Sequence, residues 1–502
     1  MAISQIKAGA ILNYISLGVY NLVGLFYTPY MLAMMGKSEY GLYSIVASVI
    51  AYLTLMDLGL SDAVIRYSIK YRKEGLYDKL SELYGMFTYI YIFIGTFVAF
   101  LGLLLALNVD TLFGATMSLV ELSRARIMLF LMACNLAISF YFCIYGSIIV
   151  ANEKFVFQKL LQILRILLNT GVMIVLLHYG YKAVAMIVTQ TIINILIIIL
   201  NVYYCRCKLY IKVTFGKVNR NVLKEILTFS FWVFFFIIIE RVYWSSGQFV
   251  LGTTVGTAAV AVFSVAITLE HMYMGMSNSI SSVLLPRITA ISTDKNSDVA
   301  LSDIFISVGR IQFFILALIF CGFVVFGRSF LDIWAGPTYS ETYVIAIILF
   351  FAHTIPLIQS TGISILKARN QMKECSIIYA SCAIVCILSE FYLSKKFGAT
   401  GCAIAIAFSM VIGQVILLNI FYSKKQRINM KKFWLNILEM SWVPLLCTIM
   451  GLIFIHYIDL HNIVHLLLGI LVFCMVYIAL SWRFTLTESE HKLLTSFIPK
   501  KA

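Results

Sequence analysis

The chain has 502 residues, is 61% hydrophobic and only 12% charged, and has a mean hydropathy of +0.94. Soluble proteins carry about 25% charged residues, so this composition excludes a cytosolic enzyme, a secreted domain, a disordered tail and a nucleic-acid-binding module, and leaves an integral membrane protein. The formal charge of +15 then reads first as Lys and Arg retained on one side of a bilayer, not as a surface for nucleic acid.

Continuous apolar runs long enough to cross a bilayer as helices exclude the short alternating strands of a barrel. They predict an all-α membrane protein of 14 transmembrane helices. The first run, 8–35, is longer than the apolar region of a cleavable signal peptide. It holds Asn13, Asn21 and Gly24, and its Pro29 removes a backbone donor, which marks a kink and a gating element. A polar turn, Gly36-Lys37-Ser38-Glu39, leads to the run 40–69, which contains Asp57 and then Asp62 and Arg66 at salt-bridge spacing. Runs at 82–107, 125–150, 156–177 and 183–204 follow, with Arg165 near the middle of the third of these. The next, 226–251, carries Glu240 and Arg241. The run 256–285 carries Glu270 beside His271, with Arg287 just beyond its end. Runs at 304–327, 342–366, 375–394 (with Glu390 deep inside) and 399–422 precede the last two, 433–457 and 463–482.

The Lys and Arg residues split 29 to 7 between the two sets of connections and termini, with Arg165 and Arg241 inside spans. That asymmetry predicts both termini in the cytoplasm. Gly36-Lys-Ser-Glu-Tyr-Gly-Leu-Tyr-Ser44 is similar to Gly256-Thr-Ala-Ala-Val-Ala-Val-Phe-Ser264, and Gly180-Tyr-Lys-Ala-Val-Ala185 to Gly398-Ala-Thr-Gly-Cys-Ala403, at nearly one offset. Because that offset covers six helices, an even number, it predicts two parallel six-helix repeats, 1–210 and 211–425, followed by two extra C-terminal helices in 426–502.

Charges inside spans cost about 2.5–3.5 kcal/mol each on insertion scales, so they mark function or buried pairing. Arg165 and Arg241 are the candidates for a cationic cavity. Arg66 and Arg287, at corresponding ends of two spans, are candidates to flank its mouth, where two guanidinium forks suit a pyrophosphate or anchor lipid headgroups. Glu270, Glu240, Asp57 and Glu390 are the candidate ion-coupling carboxylates. The eleven cysteines are scattered, mostly in apolar runs. Cys205-x-Cys207 lacks the second pair of a zinc site, and His461 and His465 lack further ligands, so neither metal nor cofactor is expected. Gly36-Lys37-Ser38 lacks the leading glycine of a phosphate-binding loop, since position 31 is Met31. Pumping would therefore draw on an ion, membrane-potential or substrate gradient.

The residues leave three classes open: a transporter with a basic cavity for an anionic headgroup, an ion-coupled small-molecule exporter of the multidrug type, and a membrane polysaccharide polymerase or ligase. Short connections without clustered His, Arg and acidic residues weigh against the enzyme. Thr28-Pro-Tyr-Met-Leu-Ala-Met-Met-Gly-Lys-Ser-Glu-Tyr-Gly-Leu-Tyr-Ser44, followed by Leu55-Met-Asp-Leu-Gly-Leu-Ser-Asp-Ala-Val-Ile-Arg-Tyr67, resembles the opening of the Wzx-type polysaccharide flippases of the multidrug/oligosaccharidyl-lipid/polysaccharide exporter superfamily. The resemblance implies movement of an undecaprenyl-pyrophosphate-linked oligosaccharide from the cytoplasmic to the periplasmic leaflet of a bacterial inner membrane. It also implies a cationic cavity role for Arg165 and Arg241, and a polysaccharide polymerase and other assembly proteins as partners. Peptidoglycan-precursor flippases of the superfamily have arginines in the first helix and multidrug exporters an acidic residue there. This chain has neither.

Overall fold

A backbone in hydrocarbon has no water to bond, so long apolar runs satisfy their N–H and C=O groups internally as helices. A computed structural model describes residues 2–215, 246–292, 297–369, 372–457, 460, 462–487 and 490, and among these there is no strand. The chain divides into two compact units, Met1–Ala261 and Val262–Ala502.

In the first unit α1 (Ala2–Leu53) leads through a 3-10 turn, Thr54–Asp57, into α2 (Leu60–Lys73). Then come α3 (Tyr77–Leu107), the short α4 (Val109–Phe113), α5 (Leu119–Tyr141), α6 (Cys143–Ala151), α7 (Phe155–His178) and α8 (Ala183–Tyr203), which continues as a π-helical turn, Tyr204–Lys208. Residues 246–254 form α9. Helix α3 packs on α5, α1 on α7, α2 on α6, and α5 on α8.

The helix α10 (Thr257–Ser292) runs into the second unit, which contains α11 (Ser297–Trp334), α12 (Thr342–Ile358), α13 (Ser360–Ala368) and α14 (Met372–Met410). A π-helical segment, Val411–Leu417, joins α14 to α15 (Leu418–Lys424), and α16 (Met430–Phe454) and α17 (Ile463–Phe484) complete it. Here α11 packs against α12, α16 and α17. Its Phe314, Val325 and Phe326 share a core with Val443, Phe473 and Tyr477.

Ten helices among the described residues are long and apolar enough to cross a membrane, or eleven if the bent pair α12 and Ser360–Leu366 is one span. The difference from the fourteen runs lies at three places. Helices α1 and α14 each carry two runs, joined at a single residue with non-helical angles, Gly36 and Gly398. Most of the run 226–251 lies outside the described residues. All four glycines aligned between the two halves of the sequence have positive φ: Gly36 at 76° and Gly256 at 121°, Gly180 at 83° and Gly398 at 57°. Pro29 lies within a helical stretch of α1; the break comes at Gly36.

Candidate functional site

The site is built from polar groups carried on apolar helices. In the first unit Arg165 is on α7 and exposed, and its Nη2 donates to Asn194 Oδ1 on α8 at 3.2 Å. Asn194 Nδ2 in turn donates to Asn135 Oδ1 at 2.8 Å and to Ser139 Oγ at 2.7 Å, both on α5. Three helices are thus tied by one chain of amides and a hydroxyl that ends on a cation. A guanidinium has five donors. The hydrogen bond to Asn194 uses one of them, and the exposed remainder suits an anion.

Asp57 ends the 3-10 turn, where Leu58 (φ 54°) and Gly59 (φ 71°) interrupt the helix. The break leaves the carboxylate beside hydroxyl donors. Ser61 Oγ donates to Oδ1 at 2.9 Å and Tyr91 OH at 3.0 Å, and Cys143 Sγ lies 3.3 Å from Ser61 Oγ. Arg66, on α2, is exposed, and its guanidinium carbon lies 6.0 Å from the centre of the Tyr67 ring.

In the second unit Glu270 on α10 and His353 on α12 are both buried and face each other, with Nδ1 2.6 Å from Oε1. Glu390 on α14 is fully buried, with Cys386 Sγ 3.7 Å from its Oε1. Glu240 and Arg241 lie outside the described residues, as does the side chain of Arg287, whose backbone belongs to α10. His461 also lies outside them. Among the described residues no group of three or more His, Cys, Asp or Glu could hold a metal ion.

Several polar residues were not singled out by sequence. His353 was visible as a polar residue within an apolar run, but its partner lies 83 positions away. Arg310, counted with the connections, is buried inside α11 and binds both carboxylate oxygens of Glu490, Nε to Oε1 at 2.7 Å and Nη2 to Oε2 at 3.1 Å. Glu121 is a hub at the start of α5. It closes a capping box with Ser118 and accepts from Ser38 Oγ at 2.6 Å and from Thr257 Oγ1 at 2.8 Å. The capping box was legible as Ser118-x-x-Glu121. Beside it Arg124 pairs with the buried Glu39, and Thr116 Oγ1 donates to the Gly252 carbonyl at 2.6 Å.

Comparison with known proteins bears on the family and the fold. A putative O-antigen transporter of Shigella flexneri is 20% identical over 389 residues, 76% of this chain and 90% of that protein. Among solved structures, the fold is similar to the lipid II flippase MurJ in an inward closed conformation, with a TM-score of 0.75 and 19% identity over 95% of this chain and 98% of that one. It is also similar to an inward-facing multidrug resistance transporter of the MATE family, with a TM-score of 0.63 and 14% identity over 86% and 99% of the two chains. These likenesses give the fold, an all-helical architecture. The model of the polysaccharide biosynthesis protein family matches residues 6–292, more than half of the sequence. The chain belongs to the polysaccharide biosynthesis protein family.

Proposed function

We propose that the protein carries an undecaprenyl-pyrophosphate-linked oligosaccharide from the cytoplasmic to the periplasmic leaflet of a bacterial inner membrane. It works by alternating access between two six-helix repeats, 1–210 and 211–425, with both termini cytoplasmic, and it is driven by an ion gradient. The observation that carries the reading is Arg165: a cation in the middle of an apolar helix, exposed and braced through Asn194 onto α5. A charge in that position is retained only where it meets water, a counter-charge or a ligand. A pyrophosphate offers the bidentate acceptor that a guanidinium fits. The four glycines with positive φ support the repeat, because each pair marks the same point in its half.

In this reading Arg165 and Arg241 form the cationic cavity, and Arg66 and Arg287 flank its mouth. Asp57, Glu240, Glu270 and Glu390 are the carboxylates available for coupling, and Pro29 loosens α1 for gating. The partners are membrane lipids and the polymerase and assembly proteins that use the translocated glycan. The test is translocation of a labelled lipid-linked oligosaccharide by purified protein in vesicles. Arg165→Ala should abolish it with insertion unchanged, while Arg165→Lys, which keeps charge but loses the fork, should retain part. Full activity of Arg165→Ala with Arg241→Ala would refute the cationic cavity. Transport of an organic cation without lipid movement would replace the flippase with a drug exporter.

A further inference from the structure

Glu270 is buried to 1% exposure on an apolar helix, yet neither of its oxygens receives an aligned hydrogen bond among the described residues. The nearest polar atom that faces it is His353 Nδ1, 2.6 Å from Oε1, and that nitrogen also lies 2.9 Å from the Leu349 carbonyl oxygen one turn back on α12. A carbonyl can only accept. With the carboxylate ionised and the imidazole neutral, two acceptors compete for one Nδ1 hydrogen, and the pair carries a net charge of −1 in an apolar interior. That is the arrangement a low-dielectric site disfavours most.

One added proton removes the net charge. Placed on the imidazole, it gives a neutral ion pair; placed on the carboxyl, with the other imidazole tautomer, it lets Oε1–H donate to Nδ1. The two forms are one macroscopic protonation state of the pair. A gap of 2.6 Å between nitrogen and oxygen holds a hydrogen and leaves no room for a larger cation. We infer that Glu270 and His353 form a one-proton binding site whose loading accompanies movement of the lipid. This inference rests on the flippase reading and names the coupling ion and the groups that take it.

The surroundings leave the proton to this pair. On α10 the neighbouring titratable groups are His271, which is exposed, and Tyr273, whose hydroxyl lies 2.6 Å from Thr354 Oγ1 and whose ring stacks on Phe350. Tyr343 and Arg328 lie together at the other end of α12, and Cys321 of α11 lies near Tyr273. Arg310 of α11 is turned to Glu490. Helix α14 contributes Glu390, which Cys386 approaches, and the segment Val411–Leu417 has no titratable residue. The contact with His353 is the one ion pair of Glu270 among the described residues.

Two measurements test the site. In vesicles with a pH difference across the membrane, the wild-type distribution of labelled lipid should shift by up to about tenfold per pH unit for one coupled proton. In Glu270→Gln and in His353→Gln that response should fall to about onefold while lipid exchange at equal pH continues. A full response in both variants would overturn the inference and leave the flippase reading standing. The second measurement needs neither transport nor a variant. Ala352-His353 is the one Ala-His pair in the sequence, so carbonyl-labelled Ala with 15N-labelled His isolates the His353 signal by NMR. Its ring nitrogens should change protonation or tautomer across the same pH difference that drives the lipid response. Ring nitrogens unchanged over that range would overturn the proton site whether or not lipid moves.

Discussion

The buried pair of Arg310 and Glu490 gives the most quantitative prediction. Both residues are almost completely buried, at 5% exposure each. The guanidinium is saturated on several sides: Glu490 takes the bidentate contact, Thr485 O accepts from Nη2 at 2.7 Å, and Asn436 Oδ1 from Nη1 at 3.0 Å. Glu490 also exchanges bonds with Thr487, accepting from its N–H at 2.8 Å and donating its own N–H to Thr487 Oγ1 at 3.4 Å. Replacing Glu490 with Ala removes two charge-assisted bonds, each worth about 1.5–3 kcal/mol, and leaves a buried cation with neutral acceptors only. The expected destabilisation is about 3–5 kcal/mol, the range for a broken buried pair. Arg310→Met alone should cost a similar amount. The double variant Arg310→Met with Glu490→Leu should recover most of the loss, because an apolar pair of similar volume tolerates the site. The assay is unfolding in mixed micelles, read as a double-mutant cycle. If the two single losses simply add in the double variant, the pair does not act as a unit and the reasoning fails.

The same pair sets a pH dependence. Burial is the largest influence on Glu490 and pushes its carboxyl up, but the Arg310 hydrogen bonds and charge and the Thr487 contacts together outweigh it, so the group sits below its ordinary value of 4.5. Its contribution should be complete above that value and fade as pH falls below it through the folded-state value; equal stability loss in wild type and Glu490→Gln across that window would refute it. Glu121→Ala should cost about 2–4 kcal/mol, from the lost cap and the hydrogen bonds to Ser38 and Thr257, and Glu121→Gln less, as measured by unfolding. At Gly41 a methyl group would overlap the Thr257 carbonyl. Gly41→Ala should therefore destabilise by about 1–3 kcal/mol, and a neutral result would show that the turn yields.

Helices were legible wherever hydropathy alone decides them, and the turns at Gly36, Gly180, Gly256 and Gly398 stood out because a left-handed backbone position selects glycine. Arg165 was legible for the same kind of reason: a charge is conspicuous in an apolar run. Its support was not, since Asn194 and Asn135 reach it through the rotational settings of α7, α8 and α5, which hydropathy does not encode. Arg310 was legible as a charge near the start of the run 304–327, but its buried pairing was not, because its partner, Glu490, lies 180 positions away. His353 was hidden by its neighbours, a polar ring within Phe350-Phe-Ala-His-Thr354 that only the opposite helix makes meaningful.

The breaks at Gly36 and Gly398 are each one residue long, and this makes them keepers of phase. A longer connection would absorb an inserted residue in slack chain. Here the next limb begins at once, so one extra residue would turn every following side chain by about 100° around the helix axis. After Gly36 that rotation would carry Ser38 away from Glu121 and Glu39 away from Arg124. A substitution weakens one contact in such a hinge; a single-residue insertion would misalign all of them together.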